Sequence, residues 1–153
     1  MTFVTFSLND IHYALDIACV EEVIPLPEIT PVANLPLSFR GMINLRGCAL
    51  PIMDLRTRLG LEPMPDALET DIIVIKMRQK LIGLIVDKVL EVCEIQDEQF
   101  LPPPKVSDCI ETPYIKGVAQ LGMAFVFLME LDQILTFEKK DSFANLDFQM
   151  SEI

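Results

Sequence analysis

The side chains of this chain that could act as nucleophile, base or metal ligand are few and scattered. Its only histidine is His12, and its four cysteines are Cys19, Cys48, Cys93 and Cys109. Hydrolysis by a serine or cysteine needs a nucleophile within reach of a positioned base. The pattern around His12 places it on the strand face opposite Tyr13 and Leu15, which predicts an exposed strand residue. A zinc centre wants paired ligands at short spacing, and no cysteine stands close enough to His12 to suggest one. Asp16, Asp54 and Asp87 could in principle serve as acid or base, but Asp54 stands where a helix needs an N-cap and the other two fall at strand ends or turns. No glycine-rich phosphate loop is present. No catalytic residue, metal or cofactor is therefore expected; the enzyme reading would require a dispersed site, and a small-ligand-binding β-barrel is the other alternative of a different class.

The composition narrows the field further. A chain of 153 residues with 51% hydrophobic content fits one ordinary domain and can fill a core without disulfides or metals. Twelve Lys and Arg against 23 Asp and Glu leave a formal net charge of −11, which repels nucleic acid and anionic lipid. The opening residues Met1-Thr2-Phe3-Val4-Thr5-Phe6 lack a basic region and meet Asn9-Asp10 too early for a signal peptide, so a cytoplasmic location is expected. All four cysteines are then expected as free thiols. The most apolar stretch, Met123 to Met129, is far shorter than the roughly 20 residues of a membrane helix and reads as a buried strand.

The elements that would position any site are mostly strands. Val4, Phe6 and Leu8 alternate with polar residues, and after Asn9-Asp10 the alternation resumes at Ile11, Tyr13, Leu15 and Ile17, predicting a hairpin with one buried face. Further hairpins are predicted from Asp71 to Val86 around Arg78-Gln79-Lys80, from Met42 to Met53 around Gly47, and from Val118 to Met129 around Gly122. Gly83 marks a bulge or a close approach, and Pro51, unable to donate to a ladder, suggests an edge position or a bulge. Asp54 is placed to cap a short helix through Leu59, with Gly60 closing it. A second helix is expected from Asp132 towards Lys140, then a frayed end or tail from 141 to 153. Proline-rich connectors lie at Pro25-Leu26-Pro27, Pro63-Met64-Pro65 and Pro102-Pro103-Pro104.

The chain also repeats itself. A shift of 69 residues sets Phe3, Val4, Phe6 and Leu8 on Ile72, Ile73, Ile75 and Met77, and Val20, Glu22 and Val23 on Val89, Glu91 and Val92. A shift of 76 sets Arg40-Gly41-Met42 on Lys116-Gly117-Val118 and Met53-Asp54-Leu55 on Met129-Glu130-Leu131. The change of shift falls in a connector, where loop length is tolerated. Two related β subdomains, with cores near 3–59 and 71–135, are expected to pack on each other and to place Gly41 and Gly117 at corresponding points.

The most informative segment is Arg40-Gly41-Met42-Ile43-Asn44-Leu45-Arg46-Gly47, where two glycines let the backbone turn or approach a neighbour and Arg46 stands before the turn. An exposed arginine beside an adaptable apolar surface is a common interface anchor. The longer run from Phe39 to Gly47, continued by Leu50-Pro51-Ile52-Met53-Asp54-Leu55-Arg56, closely resembles the CheW family signature. So do Gly83-Leu84-Ile85-Val86-Asp87-Lys88-Val89, Leu101-Pro102-Pro103-Pro104 and Tyr114-Ile115-Lys116-Gly117-Val118. Together these segments span Phe3 to about Leu135 in family order.

The resemblance implies a mainly β fold of two SH3-like barrels around a shared core, with short helices, in a single CheW-like domain over 1–153. It implies a non-enzymatic chemotaxis adaptor that couples chemoreceptors to the histidine kinase CheA. The receptor's cytoplasmic hairpin tip would enter a groove between the barrels, and the regulatory domain of CheA would meet a barrel edge. Partner-binding positions carried over by motif are Val20, Glu22, Gly41, Arg46, Val89 and Val92. Nucleic-acid binding and membrane insertion are not expected. Related modules serve type IV pilus pathways, the alternative within the same class. Two departures stand out: Ala14 replaces a glycine common after the hairpin tyrosine, and the last hairpin narrows to Leu121-Gly122-Met123 where relatives often carry a polar or acidic turn.

Overall fold

Short apolar runs separated by two-residue turns fold here into strands that share two sheets. The computed structural model describes residues 1–62, 70–101 and 114–135. Its strands are β1 (Thr2–Leu8), β2 (Ile11–Asp16), β3 (Val20–Pro25), β4 (Phe39–Leu45), β5 (Cys48–Asp54), β6 (Asp71–Met77), β7 (Lys80–Val86), β8 (Lys88–Glu94), β9 (Ile115–Leu121) and β10 (Ala124–Met129). Single-turn helices α1 (Leu55–Arg58) and α2 (Leu131–Ile134) follow β5 and β10. One sheet has the order β8-β1-β2-β10-β9, and the other β3-β6-β7-β5-β4.

The repeat survives to the level of register. A shift of 69 carries β1 onto β6, and a shift of 76 carries β4 onto β9 and α1 onto α2. Applied to the first sheet, the same mapping reproduces the strand order of the second. Even the ladder irregularities coincide. Leu90 is skipped between β1 and β8 where Glu21 is skipped between β3 and β6, and Lys116 is skipped in β9 where Arg40 is skipped in β4. Gly41 and Gly117 each follow such a bulge and occupy corresponding places. The sheets are nevertheless interleaved: each takes one hairpin from one half of the chain and three strands from the other. The segments 3–59 and 71–135 thus share a strand plan without each forming its own sheet.

This interleaving explains the burial pattern. Ile72 and Val74 of β6 join Ile43, Leu50, Ile52 and Ile85 inside one barrel, while Ile73 and Ile75 face the opposite way into the core shared by both. Phe3 of β1 lies with Ala14, Ala119, Val126 and Leu128 inside the other barrel, and Phe6 and Leu8 enter the shared core. The expectation of one buried face for the first hairpin is corrected for β1, which is buried on both faces because it lies between a barrel interior and the shared core; Thr5 is buried as well. Reading Met123 to Met129 as a buried strand is also corrected: β10 begins at Ala124, and its first two residues are exposed, the ladder to β2 starting only at Val126.

Among the described residues, four hairpins turn through two residues each: Asn9-Asp10, Arg46-Gly47, Arg78-Gln79 and Gly122-Met123. In the first three both residues have positive φ, the geometry whose twist matches that of paired strands. Arg46, at φ 51, is therefore inside its turn, not before it, and Lys80 belongs to β7 instead of the turn. Pro51 is on an interior strand, not an edge, but it immediately precedes the parallel β5–β7 ladder that starts at Ile52, so no bond to β7 is missed. Gly83 is a close approach: a Cβ there would lie 2.6 Å from Ile52 Cδ1. Its counterpart under the repeat is Ala14, beside Leu128 in the other parallel ladder.

The helix α1 is closed by its expected cap, and one arginine joins it to α2. The Asp54 carboxylate accepts the Arg56 N–H at 3.1 Å, and the Gly60 and Leu61 N–H groups donate to the Thr57 and Arg56 carbonyls, satisfying the helix end. Arg58 extends this closure to the twin helix, its Nε donating to the Ile134 carbonyl at 2.7 Å, one terminal nitrogen to the Gln133 carbonyl at 3.2 Å and the other to the Tyr114 hydroxyl at 2.8 Å. The guanidinium also lies 4.9 Å from the Tyr114 ring centroid. Arg56, nearly buried, pairs with Asp87, whose other oxygen accepts the Asn9 N–H at 2.8 Å. Arg58→Ala is expected to cost about 1–2 kcal/mol, since α2 loses donors for two terminal carbonyls; urea denaturation with no change in midpoint would refute that role. The second helix is observed over Leu131–Ile134; its proposed extension to Lys140, the 141–153 tail and the Pro63–Pro65 and Pro102–Pro104 connectors lie outside the described residues.

Candidate partner-binding surface

A five-stranded sheet leaves two edge strands, and the chain brings them together by local chemistry. After β3, Thr30 returns to Met42 of β4, with the Thr30 N–H donating at 2.8 Å and the Met42 N–H at 2.9 Å. Gly41 permits this approach: its φ is +148, and a Cβ would be driven into the Thr30 carbonyl oxygen. In the twin barrel Phe100 bridges to Ala119 and the Leu101 N–H donates to the Val118 carbonyl at 2.8 Å. Gly41 is consequently buried, a backbone device and not a surface position.

Across the same closure, Arg46 from the β4–β5 turn meets Glu22 on β3. Both terminal nitrogens of the guanidinium donate to the two carboxylate oxygens, one of them at 3.3 Å. The hydrogen bonds from Arg46 hold the Glu22 carboxyl below the usual carboxylate range, and those to Glu22 raise Arg46. The pair is on the surface, where ionic attraction is screened and adds little to folding. The twin barrel supplies an internal comparison: Glu91 takes the place of Glu22, but Gly122 takes the place of Arg46. Closure thus occurs without the pair, so the fold alone does not explain Arg46.

Val20 and Val89 are twins under the repeat, one at the start of β3 and the other near the start of β8. Both are partly buried against the shared core, so they border it from opposite sheets. Val92 is 59% exposed on the edge strand β8. The six positions thus divide: Arg46, Glu22 and Val20 belong to one barrel's closing edge, Val89 and Val92 to the other sheet, and Gly41 to the interior.

Two supporting side chains were not singled out by pattern. The Thr5 hydroxyl donates to the Glu91 carbonyl at 3.1 Å and accepts the Glu91 N–H at 3.2 Å, fastening the bulge that orients Glu91 and Val92. The Asp71 carboxylate accepts the Val89 N–H at 2.9 Å. A hydroxyl that is buried only because its strand is covered on both faces has no signature in an alternating pattern. His12 is exposed, as its strand parity predicts, and Asp16 caps a single 3-10 turn by accepting the Ala18 N–H at 3.0 Å. Among the described residues no group of three His, Cys, Asp or Glu could hold a metal, and no helix is long and apolar enough to cross a membrane.

Cys19, Cys48 and Cys93 are free, and Cys109 lies outside the described residues. Burial pushes the Cys19 and Cys93 thiols up, helped at Cys19 first by Asp16 and at Cys93 by Glu91. Since thiolate is the reactive form, exposed Cys48 is expected to alkylate before Cys19 and Cys93 in native protein. Titration after denaturation without reductant should find four thiols; fewer, restored by reductant, would reveal a disulfide.

Comparison with known proteins agrees with this architecture. The model of the CheW-like domain matches residues 2–139. The chain is 31% identical over 137 residues to the chemotaxis protein CheW of Klebsiella aerogenes, covering 90% of this chain and 82% of that one. It is 32% identical over 133 residues to a probable chemotaxis protein CheW of Rhizobium etli, with 87% and 86% covered. The crystal structure of the scaffolding protein TtCheW from Thermoanaerobacter tengcongensis superposes with a TM-score of 0.82 at 32% identity, over 93% of this chain and 97% of that one. With the interleaved pair of SH3-like barrels, these similarities establish that the chain belongs to the CheW-like domain family and is an adaptor of the chemotaxis type.

Proposed function

We propose that this protein is a non-enzymatic coupler that holds a chemoreceptor and the histidine kinase CheA in register. The apolar seam between the barrels, bordered by Val20 and Val89, takes the receptor's cytoplasmic hairpin tip, and a barrel edge meets the CheA regulatory domain. The observation behind this reading is the Arg46–Glu22 pair, present on one barrel and absent from its twin. A paired, oriented guanidinium on the closing edge that also carries Val20 has the composition of an interface anchor. Such a coupler works by binding one signalling state better than another, with no chemical step. In the cell it would work in the cytoplasm, at the inner membrane face where its receptors are. Co-sedimentation with a receptor cytoplasmic fragment and the CheA regulatory domain tests this proposal: the protein is expected in the pellet with both, and a chain that stays in the supernatant overturns it.

A further inference from the structure

The tip of the β6–β7 hairpin carries charge that the fold leaves unused. Lys76, Arg78 and Lys80, three of the chain's 12 Lys and Arg, fall within five residues, and all three are exposed. Among the described residues no ion pair involves any of them. Like charges this close repel one another. The chain has 23 carboxylate side chains, so a shortage of possible partners does not explain the arrangement.

Turn geometry does not demand these residues either. Arg78 and Gln79 have φ 52 and 66, a conformation that favours Asn, Asp and Gly. The twin hairpin supplies the comparison. Under the shift of 69, Ser7 to Ile11 stand where Lys76 to Lys80 stand here, and Asn9 and Asp10 make the same turn at φ 50 and 66 with no cation. A backbone cost accepted at one tip and avoided at its twin points to a task outside the fold. The tip also has a definite place. Ile75 pairs with Val20, the first residue of β3, so the β6–β7 hairpin overhangs β3 at that end. Met77 packs against the shared core, and Arg78 lies three residues past the Val20 rung, about 10 Å at strand rise. The three cations therefore rim the Val20 end of the seam between the barrels.

We propose that Lys76, Arg78 and Lys80 form a cationic lip that draws a carboxylate-bearing stretch of the receptor's hairpin tip to the Val20 end of the seam. The inference rests on the coupling function proposed above, which seats that partner there. A planar guanidinium matches a carboxylate. Lys80 pairs with Met77 and Lys76 with Leu81, so the two ammonium groups belong to opposite faces of the hairpin and extend the positive field to both. Exposed charges are screened over about 8 Å at physiological ionic strength, and rim charges act on encounter more than on the finished contact. The lip therefore raises the association rate and leaves dissociation nearly alone.

Stopped-flow association of full-length protein with a dye-labelled receptor cytoplasmic fragment, at about 20 mM and about 500 mM salt, tests this. The neutral variant combines Lys76→Gln, Arg78→Asn and Lys80→Gln; asparagine suits the turn, so its melting temperature should not fall below the parent's. It is expected to associate at least about fivefold more slowly at low salt and within about twofold of the parent at high salt, with dissociation changed by less than about twofold. A charge-keeping variant, Lys76→Arg with Arg78→Lys and Lys80→Arg, is expected to associate as the parent does. Equal low-salt rates in the parent and the neutral variant overturn the proposal, as does slowing that persists at high salt or that the charge-keeping variant shares. Slowing seen only with the CheA regulatory domain assigns the lip to the kinase and overturns it. So does low-salt self-association of the parent in sedimentation velocity that the neutral variant lacks, which assigns the lip to a second copy. A parent that binds no receptor fragment overturns the coupling function as well, whereas binding at equal rates leaves that function standing.

Discussion

Gly41→Ala is expected to destabilise the protein by about 4 kcal/mol, combining roughly 1–3 kcal/mol for a side chain at an unfavourable φ with two backbone hydrogen bonds worth about 1 kcal/mol each. Its φ is +148, and a Cβ would collide with the Thr30 carbonyl, the acceptor for the Met42 N–H. Rigid backbone is the obstacle, so no rotamer change relieves it. Gly47→Asn is the matched control, because Gly47 at φ +87 has open space about its Cβ position and asparagine tolerates positive φ. That variant is expected to lose no more than about 1 kcal/mol. Urea denaturation compares the two; similar midpoints would mean that the Thr30–Met42 bridge adds little to the closure of this barrel.

Arg46→Glu is expected to separate binding from folding. The pair with Glu22 lies at the surface and its twin barrel closes with Gly122 in that place, so the melting temperature should stay within about 2 °C of the parent. An arginine that anchors an interface is lost at a far larger cost, so affinity for the receptor fragment or the CheA regulatory domain should fall by about tenfold or more. The charge-swapped double variant Glu22→Arg with Arg46→Glu restores an ion pair but presents the partner with reversed charges. Its affinity is expected to remain low. Parent-like affinity in the single variant would reduce Arg46 to a solvated turn residue, and full recovery in the double variant would show that the pair acts only by bracing the edge.

The Glu22 carboxyl also sets a pH limit on this arrangement. Because its pKa is lowered in the folded protein by the Arg46 hydrogen bonds, the pair persists above the ordinary glutamate range and is lost as pH falls through the depressed value. No loss is expected between neutral pH and the ordinary carboxylate range.

Much of this molecule is a local property of its sequence. The hairpins follow from apolar alternation interrupted by polar residues or glycine, and Asp54 and Gly60 delimit α1 by capping chemistry that acts over only a few residues. The repeat was legible for a related reason. Twin strands have the same parity and the same bulges, so the spacing of their side chains had to match at 69 and 76 residues. The motif around Gly41 and Arg46 was readable as well, since two glycines flanking a polar strand are distinctive, although Arg46 was expected before the turn that it in fact enters.

The tertiary structure decided what those elements pack against. Parity tells which residues share a face but not whether that face meets solvent, a barrel interior or the shared core; hence β1 proved buried on both sides and the outer end of β10 on neither. Parallel pairing of β5 with β7 and of β10 with β2 joins strands from different halves, and no local signal encodes it. Only barrel closure revealed that Gly41 is buried and that Arg46 and Glu22, 24 residues apart, face each other. Turns and caps are settled within a few residues of chain, whereas burial and edge-to-edge contacts depend on where distant segments end in space.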